Sequence, residues 1–311
     1  MMATQGLRRA CAVFGLALLV PVTWAQAEKT PAATTPAATT PAATTPAAKE
    51  APAASATPAA GEFVPETGQP GKDVVWVPTA QTLVNKMLDM AKLTPRDFLI
   101  DLGSGDGRTV ITAAKRGAKA HGIEYNPDMV ALSKRNAEKE GVAGRATFEK
   151  ADIFASDYSQ ATVITLFLLP ELNVKLRPAI LNMKPGTRVA ANSFDMGDWQ
   201  PDETARVEGE CTSWCTAYLW IVPAKVAGAW KLAHGELTLT QQYQTISGTL
   251  RMNGNTQALT VTRGKLDGEN VSFVVGGVEY GGRVRGDAMD GTMAAGATRA
   301  PWSATRVAGG R

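Results

Sequence analysis

The sequence predicts a doubly wound, mostly parallel α/β sheet over residues 71–226, followed by a small antiparallel β-meander or barrel over residues 227–311. Three observations carry that expectation. Short apolar segments alternate with amphipathic helical ones from FLIDLG at 98–103 to RVAANSF at 188–194, the order that gives right-handed crossovers between parallel strands. A glycine-rich turn, GSGDG at 103–107, leaves the first of those strands and opens a helix. Beyond residue 227 apolar and polar residues alternate, cut by Asn253-Gly254, Asp267-Gly268 and Asp290-Gly291, pairs that favour tight type I′ hairpins.

The 311 residues leave room for both units beside an N-terminal region of different character. In residues 1–27, Arg8 and Arg9 precede an apolar run ending at Ala25-Gln26-Ala27, the pattern of a signal peptide with a small-residue cleavage site. Pro21 interrupts the run, which falls short of the roughly 20 apolar residues that span a bilayer. Export to a periplasmic or cell-envelope location is therefore expected; the alternative is an uncleaved membrane anchor facing the cytoplasm. Residues 28–70 carry a five-residue repeat rich in Pro, Ala and Thr. Proline blocks helix there and the small side chains offer too little apolar surface to fold, so a disordered linker is expected.

Net charge is +3, with Lys and Arg dispersed among Asp and Glu. Such a chain has no basic field of the kind that draws nucleic acid. Cys211 and Cys215 are the only cysteines after Cys11, and the CTSWC spacing leaves open a disulfide in an oxidising compartment or two free thiols. His121 and His234 lie far from both in sequence, so no metal site is indicated.

Taken in order, VPTAQTLVNKMLDMAKL places Leu83, Val84, Met87, Leu88, Met90 and Ala91 at helical spacing, with Thr79 as the expected N-cap. FLIDLG is the first strand, TVITAAKRG a helix closed by Gly117, and AKAHGIEY the second strand. NPDMVALSKRNAEKEG is a helix that begins with Asn126 and Pro127 in cap and first-turn positions and ends at Gly141. ATFEKADIF is the third strand, and ATVITLFLL the fourth, apolar enough to be covered on both faces. The helix ELNVKLRPAILNM and the strand RVAANSF complete the alternation. In the second unit about seven short strands are expected, curled so as to hide their edges. That unit shows no catalytic constellation; packing on the first unit and recognition of a protein or glycan are its two readings.

In a Rossmann-like sheet, ligands bind beyond the carboxyl ends of the strands, and the distinctive residues collect there. Gly103, Gly105 and Gly107 tolerate positive φ and let a ligand approach the backbone; Ser104 and Asp106 lie between them. Glu124 closes the second strand, where a carboxylate can accept both hydroxyls of a ribose. Asp152 closes the third, in position to accept from an exocyclic amine such as that of adenine. Asp101 brings negative charge to the turn, which disfavours a phosphate and suits a cationic sulfonium and ammonium. Arg108 stands where a dinucleotide fingerprint carries its third glycine. A nucleoside with a positively charged tail, S-adenosyl-L-methionine, is the better fit.

DLGSGDG at 101–107, Glu124-Tyr125-Asn126 and Ala151-Asp152-Ile153 resemble the first, second and third motifs of class I S-adenosylmethionine-dependent methyltransferases. More narrowly, VWVPT at 75–79, DLGSGDGR, IEYNP and FLLPELN are similar to prokaryotic relatives of the ATP synthase c-subunit lysine methyltransferases, a likeness that covers about residues 74–200. The resemblance implies that Thr79, Asp101, Gly103, Ser104, Gly105, Asp106, Gly107, Glu124, Asn126, Asp152 and Ile153 hold the cofactor. It also implies methyl transfer to the ε-amine of a protein lysine; a small-molecule acceptor is the other partner class. Many amino-group methyltransferases end the fourth strand in Asn or Asp, two prolines and an aromatic, and here only Pro170 matches. Glu171 and Asn173 are therefore the residues expected to hydrogen-bond or deprotonate the acceptor, with capping of the following helix as their other reading. Asp195 and Trp199 are placed beside the acceptor, and for Trp199 a core position is equally compatible. A binding protein outside the cytoplasm that keeps the nucleoside fold without turnover is the competing function.

Overall fold

A computed structural model describes residues 63–308. The signal segment at 1–27 and the linker up to residue 62 lie outside the described residues. The first unit is built on seven strands: β1 (Phe98–Leu102), β2 (Lys119–Glu124), β3 (Ala146–Lys150), β4 (Val163–Leu166), β5 (Arg188–Asn192), β6 (Glu203–Arg206) and β7 (Thr216–Ile221). Their order in the sheet is β3-β2-β1-β4-β5-β7-β6. Strands β1 to β5 are parallel, while β7 runs antiparallel to both neighbours. Because β2 and β4 flank β1 on opposite sides, the topological switch point falls at the end of β1.

Helices cover both faces because successive strand residues point to opposite sides. Leu99 packs in one cluster with residues of α1 (Gln81–Met90), α2 (Arg108–Lys115) and α3 (Pro127–Lys139). Ile100 and Leu102 pack in the other with Leu176 and Ile180 of α4 (Pro170–Ile180). Asn126 caps α3 as expected, accepting from Asp128 N at 2.8 Å. The cap of α1 is Ala80 and not Thr79, whose hydroxyl accepts from Asn192 Nδ2 at 3.2 Å. At the opposite end of the sheet Arg188 is ion-paired with Asp97, which also accepts from Thr162 Oγ1 at 2.8 Å. Burial raises the Asp97 carboxyl, but the Arg188 and Thr162 hydrogen bonds outweigh it and hold the group at about 2.

Three expectations on organisation change. Residues 66–70, read as the end of the linker, belong to the folded unit: Gly68 N donates to Trp76 O at 2.8 Å and Trp76 N to Gln69 O at 2.9 Å, forming a small hairpin. Strands β6 and β7 extend the sheet past the point where the sequence alternation stops. Trp199 is fully buried, stacked on Tyr243 with ring centroids 5.9 Å apart, so it is a core residue and does not border an acceptor.

The second unit is a closed antiparallel barrel of eight strands: β8 (Gly228–Leu232), β9 (Gly235–Gln242), β10 (Thr245–Met252), β11 (Ala258–Asp267), β12 (Asn270–Val275), β13 (Val278–Arg285), β14 (Ala288–Ala295) and β15 (Thr298–Arg306). Closure comes from β15 pairing with β8, Ala304 opposite Leu232. Its interior is filled by apolar side chains, with Phe273 stacked on Tyr280 at 4.8 Å and Trp302 edge-on to both. The barrel packs on the sheet through Tyr243, through Gln244 Nε2 donating to Gln200 O at 2.8 Å, and through Ala224 N donating to Gly268 O at 2.8 Å.

Candidate active site

A cavity of about 440 Å³ lies at the carboxyl ends of β1, β2 and β4, roofed by the 69–79 segment. Asp101, in β1, stands in its wall with only 6% of its surface exposed. Its Oδ1 accepts from Thr165 Oγ1, on the neighbouring β4, at 2.6 Å. Burial pushes the Asp101 carboxyl up to about 7; the Thr165 bond opposes that, and the nearby Glu124 and Asp106 reinforce it. A buried acid surrounded by other acids is costly to ionise unless a cation is brought to it.

Glu124, at the end of β2, is fixed by two backbone donors, Gly105 N to Oε2 at 3.0 Å and Asn126 N to Oε1 at 2.9 Å. Each oxygen keeps a further lone pair for a ligand hydroxyl. Gly105 has a φ of +55°, and a Cβ there would lie 2.6 Å from Trp76 Nε1. Only glycine lets the roof close this near to the turn. Gly103 lines the cavity beside Leu168. Ser104 also lines it, but its hydroxyl is buried over Gly122. Asp106 is gripped by Arg108, with Nε at 3.0 Å and Nη2 at 2.6 Å, and Arg108 Nη1 also donates to Thr79 O at 2.9 Å. The residue that argues against a dinucleotide thus ties the glycine turn to the roof.

Asp152 lies just beyond β3, where Oδ1 accepts from Phe154 N at 2.9 Å and Oδ2 pairs with Lys72 Nζ at 2.6 Å. The Lys72 hydrogen bond holds its carboxyl below the usual range. Thr79, Asn126 and Ile153 complete the expected lining, although the Asn126 side chain is spent on capping α3. Gly107 does not line the cavity. It caps α2 with a φ of +81°, and a Cβ there would meet the Phe148 ring at 2.8 Å and Ser133 Cβ at 2.9 Å.

The two residues expected to handle the acceptor are placed elsewhere. Glu171 is exposed in the first turn of α4, off the cavity. Asn173 is fully buried, and its Nδ2 donates to Phe194 O at 3.2 Å and Asp195 O at 3.1 Å. Because α4 starts directly at Pro170, its first turn faces the 194–195 loop, so Asn173 positions that loop. Asp195 is itself exposed, accepting from Gly197 N at 3.0 Å.

Sequence reasoning missed Thr165, Lys72 and the aromatic rings of Phe167, Phe194 and Trp214, the last four of which line the cavity. Thr165 carried a signal, as a hydroxyl inside an otherwise apolar core strand. Lys72 carried none, because its role depends on the fold of the roof.

These residues fit a nucleoside with a cationic tail. Of the carboxylates that line the cavity, Glu124 has lone pairs free, Asp152 stands at the far side, and Asp101 is without a cationic partner among the described residues. A sulfonium and ammonium beside Asp101 would offset the cost of ionising it.

Comparison with known proteins agrees. Residues 101–203 match the model of the ANTKMT methyltransferase domain. Over 152 residues the chain is 42% identical to a protein-lysine N-methyltransferase of Saccharolobus islandicus (strain REY15A), covering 48% of this chain and 94% of that relative. It is 36% identical over 140 residues to the ATP synthase c-subunit lysine N-methyltransferase of Rattus norvegicus, covering 45% of this chain and 64% of the relative. Among solved structures, an RNA methyltransferase from Salinibacter ruber in complex with S-adenosyl-L-homocysteine is 45% identical, with a TM-score of 0.46 and coverage of 48% of this chain and 96% of that one. The chain belongs to the S-adenosylmethionine-dependent methyltransferases of the ANTKMT-domain family.

Proposed function

We propose that this methyltransferase acts on the ε-amine of lysine in a protein and works outside the cytoplasm. The observation that carries the acceptor class is the 42% identity across 94% of a relative that is a protein-lysine N-methyltransferase. Bound S-adenosylmethionine supplies an electrophilic methyl group on a sulfonium. The chain's part is to position: Glu124 to hold the ribose, Asp152 the adenine amine, and Asp101 the cationic tail. Such positioning of two reactants supplies much of the acceleration in a transfer of this kind. Leu169 and Trp214 are exposed on the cavity, leaving one side open to an acceptor.

The compartment reading rests on the Arg8-Arg9 apolar segment and on the Cys211–Cys215 disulfide, a bond that persists in oxidising surroundings. An enzyme placed there depends on cofactor delivered across the membrane. Cell fractionation with mass spectrometry of the N-terminus tests it. Glu28 as first residue in the envelope fraction supports export, and an intact Met1 in the cytoplasm contradicts it.

For the reaction, the purified chain is incubated with deuteromethyl-labelled cofactor and cell-envelope proteins, then digested for mass spectrometry. The expected product is a lysine bearing the labelled methyl. Label found only on small molecules, or on no protein, would sink the proposal.

A further inference from the structure

Three aromatic rings gather where β4 and β5 end, and the cofactor-holding carboxylates make no use of them. Phe167 follows β4 and Phe194 follows β5; their rings stack with centroids 6.1 Å apart and planes 18° apart. Trp214 sits edge-on to Phe167 at 6.2 Å. All three line the cavity, and Trp214 is 47% exposed at its open side.

Trp214 is held there against local preference. Its φ is +53°, a left-handed conformation that bulky side chains avoid. The Cys211–Cys215 disulfide closes the loop that carries it. Val207 N donates to Cys215 O at 2.9 Å and Ser193 N to Thr216 O at 2.8 Å, tying that loop to the ends of β5 and β6. Ser193 is also left-handed, with a φ of +56°. Backbone outliers that the surroundings over-determine collect at ligand sites. The loop lies beyond residues 101–203, the part that matches the family domain.

We propose that Phe167, Phe194 and Trp214 form the acceptor subsite, taking the side-chain ammonium of lysine, with Trp214 positioned by the disulfide loop. This rests on the protein-lysine reading above. Aromatic faces attract cations, tryptophan most strongly, and the same cavity carries Asp101 and Glu124. Lysine arrives as an ammonium, gives up one proton to solvent at the open side of the cavity, and as the neutral amine forms the N–C bond while the sulfonium's S–CH3 bond breaks to leave the thioether; the methylated product is again cationic, so the rings serve both the incoming and the outgoing cation.

The test uses the full chain loaded with S-adenosylhomocysteine. Two probes are titrated: Nα-acetyl-trimethyl-lysine methylamide, and its neutral isostere with carbon in place of the side-chain nitrogen. The charged probe is expected to bind about tenfold tighter, a preference lost in Trp214→Ala, partly kept in Trp214→Phe, and reduced in the Cys211→Ser/Cys215→Ser double variant. Unchanged affinity for S-adenosylhomocysteine shows that each variant is folded. Equal binding of the two probes, no binding of either, or a charge preference that survives Trp214→Ala overturns the subsite. If labelled lysine still forms in the envelope assay, only the subsite has failed; if the charge preference stands but no lysine is labelled, only the acceptor proposal has failed.

Discussion

Replacing Asp101 by Asn separates the two consequences of burying that carboxyl. In the unbound protein the group titrates at about 7, so at pH 6 about a tenth of the molecules carry the carboxylate, and at pH 8 about nine tenths do. A cationic ligand binds the carboxylate form, so the dissociation constant for S-adenosylmethionine should be about tenfold weaker at pH 6 than at pH 8. Calorimetry in buffers of different ionisation enthalpy should count close to one proton released per ligand at pH 6 and almost none at pH 8. Asp101→Asn should bind weakly and lose this proton release. Stability moves the other way. The folded pKa lies above the ordinary 3.8, so the group's favourable contribution is complete below 3.8 and is lost as pH rises through about 7. The gap amounts to about 4 kcal/mol against the unbound wild type at high pH. Thermal unfolding at pH 8 should therefore find unbound Asp101→Asn more stable than wild type, with the difference closing towards pH 4. A wild-type affinity that is flat from pH 6 to 8, or an Asn variant that binds as tightly at pH 8, would mean that the Asp101 carboxylate does not hold the cationic tail.

Thr165→Val removes the hydrogen bond that favours the Asp101 carboxylate, and the pH midpoint of cofactor binding should move upward in the same titration. Gly107→Ala meets both a positive φ and the Phe148 ring; a loss of about 1–3 kcal/mol is expected in denaturant unfolding. Arg188→Ala leaves Asp97 unpaired and should cost about 3–5 kcal/mol at pH 7. Because Asp97 titrates at about 2 in the folded protein, the wild-type contribution is present above 3.8 and fades as pH falls through 2, so variant and wild type should converge in acid unfolding. Trp199→Ala should cost about 3–5 kcal/mol while S-adenosylhomocysteine affinity stays within about twofold, as expected for a buried residue that lies off the cavity wall.

The parallel core was legible because its signals are local. Strand and helix periods alternate cleanly from Phe98 to Asn192, and the acids that matter stand at strand ends. The β6–β7 hairpin escaped because β6 is a four-residue, mostly exposed edge strand with no apolar alternation to announce it. The eighth barrel strand was hidden by Pro301, which lacks an N–H and reads against a strand, yet pairs opposite Thr292 in β15. The acceptor side was misread for a different reason. Glu171 and Asn173 are expected at the acceptor because they stand where the family carries its amine-orienting motif, at the end of the fourth strand, but β4 ends at Leu166 and α4 starts at Pro170, so Glu171 is exposed on the first helical turn and Asn173 is buried against the 194–195 loop. The rings that do face the cavity come from three separate loops, at 167, 194 and 214, and their meeting depends on a disulfide that spacing alone leaves open.

A crystal structure of the chain with S-adenosylhomocysteine would show how the carboxylates and the rings divide the cavity. One arrangement is expected: the ribose hydroxyls on Glu124, the adenine amine at Asp152, the amino-acid tail against Asp101, and the sulfur facing Phe167, Phe194 and Trp214. A nucleoside bound outside this cavity, or one whose sulfur faces away from the three rings, would contradict it.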